Sequence, residues 1–152
     1  IKFILDGGRS KIGLESTIIS LLGNPKILRL GGIERKRINK IFRKKIVYKK
    51  NDKTIVVPGQ LSLHYSPGIP IRLNKKKPKE NEAFILIKKR KKTSKDYYYL
   101  SKKKDLKEAA KNLYKVLRNI KNKDYKSIAV EKIPNFGFGE AINERLKRAS
   151  VK

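Results

Sequence analysis

Apolar positions in this chain recur at two different spacings. Over Asp105 to Ile120, the residues Leu106, Ala109, Ala110, Leu113, Tyr114, Val116, Leu117 and Ile120 fall at three- and four-residue steps, the period of a helix with one buried side. Ser101 or Asp105 is a candidate cap for its start. Glu140 to Ala149 repeats the pattern more briefly, with Ala141, Ile142 and Leu146 inward, after a tight turn at Phe136-Gly137-Phe138-Gly139. Glu34 to Phe42 has helical spacing with Ile33, Ile38, Ile41 and Phe42 on one side. Short apolar runs predict strands at Ala83–Ile87, Tyr97–Leu100 and Ser127–Val130, the last ended by Ile133-Pro134. Lys88 to Lys95 is a basic turn between the first two. Nearer the N-terminus, Lys2-Phe3-Ile4-Leu5 predicts a strand that stops at Asp6-Gly7-Gly8. Ser16 to Leu22 predicts a buried strand, Gly23-Asn24-Pro25 a turn and Lys26 to Leu30 the returning strand, so residues 16–30 form a β-hairpin. Ile46–Tyr48 and Thr54–Val57 flank a polar turn. Strands alternating with helices imply an open α/β architecture.

The pattern breaks once. Residues 58–70 hold three prolines and two glycines, which disfavour both helix and central strand. The expected organisation is therefore a first unit at residues 1–57, a linker at 58–78 and a second α/β unit at 79–152. No run of about 18 apolar residues occurs, so no membrane-spanning helix is expected. The chain opens on Ile1 and enters at once on an apolar run, so a truncated N-terminus is expected.

Charge changes the picture more than size does. The 152 residues carry 41 Lys+Arg against 13 Asp+Glu, a net charge of +28. This points either to a nucleic-acid partner or to a genome rich in A and T, since Lys, Ile and Asn are all abundant and many lysines sit in plain runs. Cysteine is absent, which removes disulfides, thiolate metal sites and cysteine nucleophiles and is compatible with a cytoplasmic protein. There is a single histidine, so a zinc site is not expected.

Candidate chemistry clusters near glycines. Ser16 and Thr17 open a strand and offer two hydroxyls to a polar ligand; equally they are a turn Ser and a strand-forming Thr. Arg29 ends an apolar strand just before Gly31-Gly32, a placement suited to phosphate or carboxylate but also to a solvated Arg leaving the sheet. Leu30-Gly31-Gly32 lacks the full phosphate-loop signature. His64-Tyr65 lies in the proline-framed loop, either as an acid, base or donor or as an aromatic packed between the units. Asp6, Glu15, Glu131 and Glu140 are acids near glycines with no spacing that demands paired-carboxylate chemistry. Glu140, Asn143, Arg145 and Arg148 read as a solvated helix face.

In order along the chain, these segments resemble the two-domain form of the YrdC-like family, the threonylcarbamoyl-AMP synthases. The matching stretches are Leu-Asp-Gly-Gly at 5–8, Gly-Leu-Glu-Ser-Thr-Ile at 13–18, Ile-Leu-Arg at 27–29 with Gly31, and Pro-Gly-Gln-Leu-Ser-Leu-His-Tyr-Ser-Pro at 58–67. Two more are Ala-Ala-Lys-Asn-Leu-Tyr at 109–114 and the Gly137–Ala149 segment. The resemblance implies the C-terminal part of a YrdC-like twisted α/β sheet domain, a linker crossing the active site and a small Rossmann-like α/β domain. It implies condensation of L-threonine, bicarbonate and ATP to threonylcarbamoyl-AMP and pyrophosphate, with magnesium, and with downstream proteins that carry the group to tRNA. By the same resemblance Ser16 and Thr17 face threonine, Arg29 contacts the nucleotide phosphate, and His64 and Tyr65 lie across the ATP pocket. The family's Lys-x-Arg and Ser-x-Asn segments have no counterpart here, so this length of chain is expected to lack synthase activity alone. The alternative is a basic RNA-binding module without catalysis. An RNA reader would interleave aromatics with Arg on one sheet face, and Tyr97-Tyr98-Tyr99 is the only aromatic cluster.

Overall fold

The computed structural model describes residues 1–8, 10–48, 57–59 and 65–150. The expected strand at Thr54–Val57, apart from the buried Val57, lies outside the described residues, as does His64. The architecture is α/β, in two sheets. The first has the order β1 (Ile18–Ser20), β2 (Lys26–Arg29), β3 (Val47–Tyr48), with α1 (Arg35–Phe42) between β2 and β3. The second has the order β4 (Ile71–Arg72), β7 (Ser127–Val130), β5 (Glu82–Lys88), β6 (Tyr97–Ser101), all parallel. Helices α2 (Leu106–Lys121) and α3 (Phe138–Ala149) belong to this second unit.

The hairpin forms as the Gly23-Asn24-Pro25 turn requires: β1 and β2 run antiparallel. Between Ile18 and Ile19 the register slips, so β2 advances two residues against one on β1. Such a bulge adds twist where Arg29 leaves the sheet. The hairpin is shorter than expected, and its end is not buried: Leu21 and Leu22 are exposed. Lys2–Leu5 does not form the expected strand. Ile1, Phe3, Ile4 and Leu5 are exposed, with no neighbouring strand among the described residues to take their backbone groups. The turn after them does form, with Asp6 Oδ1 accepting from Gly8 N at 2.8 Å. On α1 only Ile38 is buried and Phe42 half-buried, while Ile33 and Ile41 face solvent; the helix uses a narrower stripe than its apolar content allows.

The second unit follows its sequence pattern closely. Asp105 caps α2, its side chain accepting from Lys107 N and Glu108 N, while Ser101 Oγ accepts from Asp105 N at 2.9 Å. Helix α3 starts at Phe138, two residues earlier than expected, with Gly137 as its cap at φ 55°. A Cβ at Gly139 would collide with the Pro134 carbonyl, so the expected tight turn is the first turn of the helix pressed on the preceding loop. Strand β4 lies inside the 58–78 stretch expected as linker and pairs with β7.

One apolar core runs through both units. Leu14, Ile27, Leu30, Ile38 and Ile46 pack in the same cluster as Leu113, Leu117, Ile142 and Leu146. No helix among the described residues is long and apolar enough to cross a membrane.

Candidate active site

The glycine-flanked segments of the first unit meet where the hairpin opens. Gly32 N donates to Glu15 O at 2.8 Å, and a Cβ at Gly31 would strike the backbone of Glu15 and Ser16. Only glycine lets the 31–32 loop lie this close to the 15–17 segment. Thr17 locks the pair from the side: its Oγ1 donates to Ile33 O at 2.8 Å and accepts from Ile33 N at 3.0 Å. The Thr17 hydroxyl thus holds the loop.

Arg29 joins three segments. Its Nε donates to Ser16 O at 3.0 Å, Nη2 to Ser16 Oγ at 2.9 Å and Nη1 to Pro58 O at 3.1 Å. A guanidinium has five N–H donors in a planar fork, and three of them are used here to fix its plane. The Ser16 hydroxyl lies in that plane. An oriented cation beside a hydroxyl at a sheet end can bind phosphate or carboxylate. Pro58 belongs to the segment after the first unit, so the clamp also fixes where that segment starts.

The Tyr65 hydroxyl reaches Glu15 and lies beside Gly59, next to the Arg29 side chain. The Tyr65 ring stacks on Tyr114 of α2, with centroids 5.4 Å apart and planes 25° apart. Arg145 Cζ sits 5.1 Å from its ring centroid. The backbone of Tyr65 is left-handed at φ 72°. A Cβ at Gly59 would fall 2.5 Å from the Tyr65 hydroxyl, which explains the glycine after Pro58.

Beneath Tyr65 is a charge cluster. Arg145 on α3 is 1% exposed. Its Nη2 donates to Glu15 Oε2 at 2.9 Å and to Leu30 O at 2.8 Å, its Nε to Glu15 Oε2 at 3.1 Å, and its Nη1 to Glu144. Tyr114 Oη donates to Glu15 Oε1 at 3.2 Å. Burial opposes ionisation of Glu15, but the Tyr65 hydroxyl and the Arg145 guanidinium outweigh it and hold the carboxyl at about 2. Burial, with Glu15 nearby, pushes the Tyr65 phenol up to about 12, so at neutral pH it is a donor and not a base. A second tie, Arg35 to Glu140 at 2.7 Å, joins α1 to α3.

Comparison with known proteins decides the family. The family described as "Threonylcarbamoyl-AMP synthase, C-terminal domain" matches residues 33–151. The chain belongs to the threonylcarbamoyl-AMP synthase family. It is 30% identical to the threonylcarbamoyl-AMP synthase of Pyrococcus abyssi (strain GE5 / Orsay) over 99% of this chain and 49% of that protein. Identity to the Bacillus subtilis (strain 168) threonylcarbamoyl-AMP synthase is also 30%, over 97% of this chain and 48% of that one. The chain spans about half the length of these curated relatives. The crystal structure of P. abyssi Sua5 complexed with L-threonine is similar in fold, with a TM-score of 0.78 and 26% identity over 95% of this chain and 48% of that one.

Within this threonylcarbamoyl-AMP synthase fold, Ser16 and Arg29 are brought into contact. Thr17 is one residue away but turned onto Ile33. Tyr65 packs its ring on Tyr114 and Arg145 while its hydroxyl lies beside Gly59, near Arg29, and His64 lies outside the described residues. Glu15 and Arg145 are the residues that sequence reading undervalued. Arg145 was expected on a solvated face, but it is buried, and Glu140 is paired with Arg35. The period held the clue: Arg145 is four residues after Ala141 and three after Ile142, on the inward stripe. Among the described residues no group of three or more His, Asp or Glu could hold a metal ion, and Glu15 is committed to Arg145.

Proposed function

We propose that the chain forms one wall and the closing side of the active site of a cytoplasmic L-threonylcarbamoyladenylate synthase, a nucleotidyltransferase serving tRNA threonylcarbamoyladenosine modification. The observation that carries this reading is the Arg29 clamp on Ser16 and Pro58. The reaction needs threonine carbamate, an anion, to attack an anionic nucleotide phosphate. The site must therefore neutralise charge and hold the reactants in line. Arg29, with its plane fixed by three of its five donors, offers its charge and remaining N–H groups to the nucleotide. The Ser16 hydroxyl beside it serves the threonine side, and Thr17 positions the glycine loop. Tyr65, a neutral donor, and the preceding His64 belong to the segment that crosses the ATP pocket. No nucleophilic side chain is called for: bicarbonate and L-threonine supply the nucleophile, and ATP supplies the leaving pyrophosphate. Magnesium would accompany the nucleotide through its own phosphate oxygens.

Titration of the chain with ATP, followed by amide NMR shifts, tests this reading. Arg29→Gln should weaken ATP binding about tenfold or more, as loss of a charge-assisted pair does, with the dispersed spectrum retained. Unchanged affinity in Arg29→Gln would overturn it. The chain alone, which spans half of its relatives, should release no pyrophosphate above background with threonine and bicarbonate present.

A further inference from the structure

The four-stranded sheet has two unlike faces. Helix α2, with α3 packed beside it, covers the face built by Ile85, Ile87, Leu100, Ile128 and Val130. The parallel registers put Phe84, Leu86, Ala129, Tyr97 and Tyr99 on the other face. There Phe84, Leu86 and Ala129 are fully buried and form a separate cluster. No helix among the described residues lies over it.

Topology says what does. The β6-to-β7 crossover through α2 runs one way across the sheet, while β4-to-β5 and β5-to-β6 both run the other way. Parallel crossovers share one hand, so the two shorter connections fall on the face opposite α2. Contacts agree, because Arg90 of the β5-to-β6 connection lies over the Phe84 ring at 5.7 Å and pairs with Glu131.

Both connections are lysine-rich. Residues 74–80 hold four lysines and one glutamate; residues 88–96 hold five lysines, one arginine and one aspartate. Asp96 is occupied by the Tyr125 hydroxyl and Ser94. Among the described residues, none of these lysines is in an ion pair. The 88–96 connection carries no apolar side chain, so it cannot insert into a bilayer as an amphipathic segment does. Two adjacent unneutralised cationic tracks on a flat face suit a chain of phosphates.

We propose that this face, on the far side of the sheet from α2, binds the phosphate backbone of a structured RNA. The choice of RNA over DNA rests on the tRNA-modification reading above; the surface itself does not depend on the synthase site. The test is fluorescence anisotropy with labelled tRNA between 50 and 200 mM salt on three forms of the chain: wild type, K88Q/K89Q/K91Q/K92Q, and a control, K36Q/K40Q/K44Q/K45Q, that removes the same charge near α1. Arg90 is spared because it caps Phe84. The first variant should flatten the slope of log affinity against log salt by about 3, and the control by less than about 1. Equal losses in the two variants would assign the affinity to net charge and overturn the proposal. So would wild-type binding to duplex DNA, or to vesicles of 30% phosphatidylserine, as tight as to tRNA. ATP titration of the first variant should match wild type, so a failed nucleotide site and a failed RNA face give different results.

Discussion

The two sheets of this protein are built to different standards. Of the residues in β1, β2 and β3, only Ile27 is buried. Strand β5 alone has six consecutive buried residues, and α2 adds Ala109, Ala110, Leu113, Val116, Leu117 and Ile120. A short three-stranded sheet with so little apolar cover has marginal stability of its own. What it does have is Arg145, which reaches from α3 to Glu15 and to the Leu30 carbonyl. The candidate site therefore sits on the weakly packed unit but is held in shape by the strongly packed one. Segments that bind and close are commonly drawn from the less stable part of a fold.

The sharpest way to break this arrangement is Arg145→Ala. It leaves Glu15 and Glu144 without their cation and the Leu30 carbonyl without its donor. Removing one partner of a buried pair costs about 3–5 kcal/mol, read from urea unfolding by circular dichroism. A paired substitution separates the units. Ile128→Ala, fully buried in β7, should lower global stability by about 2–5 kcal/mol. Ile27→Ala, equally buried in β2, should instead show most of its effect as local opening of the hairpin, detected by hydrogen exchange.

Each unit also carries a carboxyl held well below its ordinary value. The Glu82 carboxyl is held at about 2, first by Arg72, and Glu15 at about 2 through Tyr65 and Arg145. Both folded values lie below the ordinary 4.5. Their stabilisation is therefore complete above that value and lost as pH falls through about 2. Stability should decline between about pH 5 and about pH 2. Glu15→Gln should remove about one linked proton from the decline, measured from denaturation midpoints across that range. The smallest effect is expected from Asp105→Ala, which removes the α2 cap and about 1 kcal/mol.

The second unit was largely legible in the sequence. The helical period of 105–120 and the apolar run of 83–87 each force one solution, and the caps agree with them. The first unit was less so. Its apolar residues are not all core: Phe3, Ile4, Leu5, Leu22 and Ile41 are exposed, so hydrophobicity alone over-predicted a strand at 2–5 and a wide stripe on α1. Arg29 and Ser16 were picked out by the glycines that follow, and the structure joins them. A charge on a helix is normally solvated, so the local pattern alone places Arg145 on the surface. Its burial depends on Glu15, far away in sequence, and no local pattern announces such a partner.

Hydrogen exchange on Arg145→Met shows whether α3 holds the hairpin in shape, because methionine keeps the packing volume and removes the pairing. Loss of protection is expected in the amides of residues 16–33, with β5 and β7 amides exchanging as in wild type. Equal loss in both sheets, or unchanged protection in the hairpin, would contradict that role of α3.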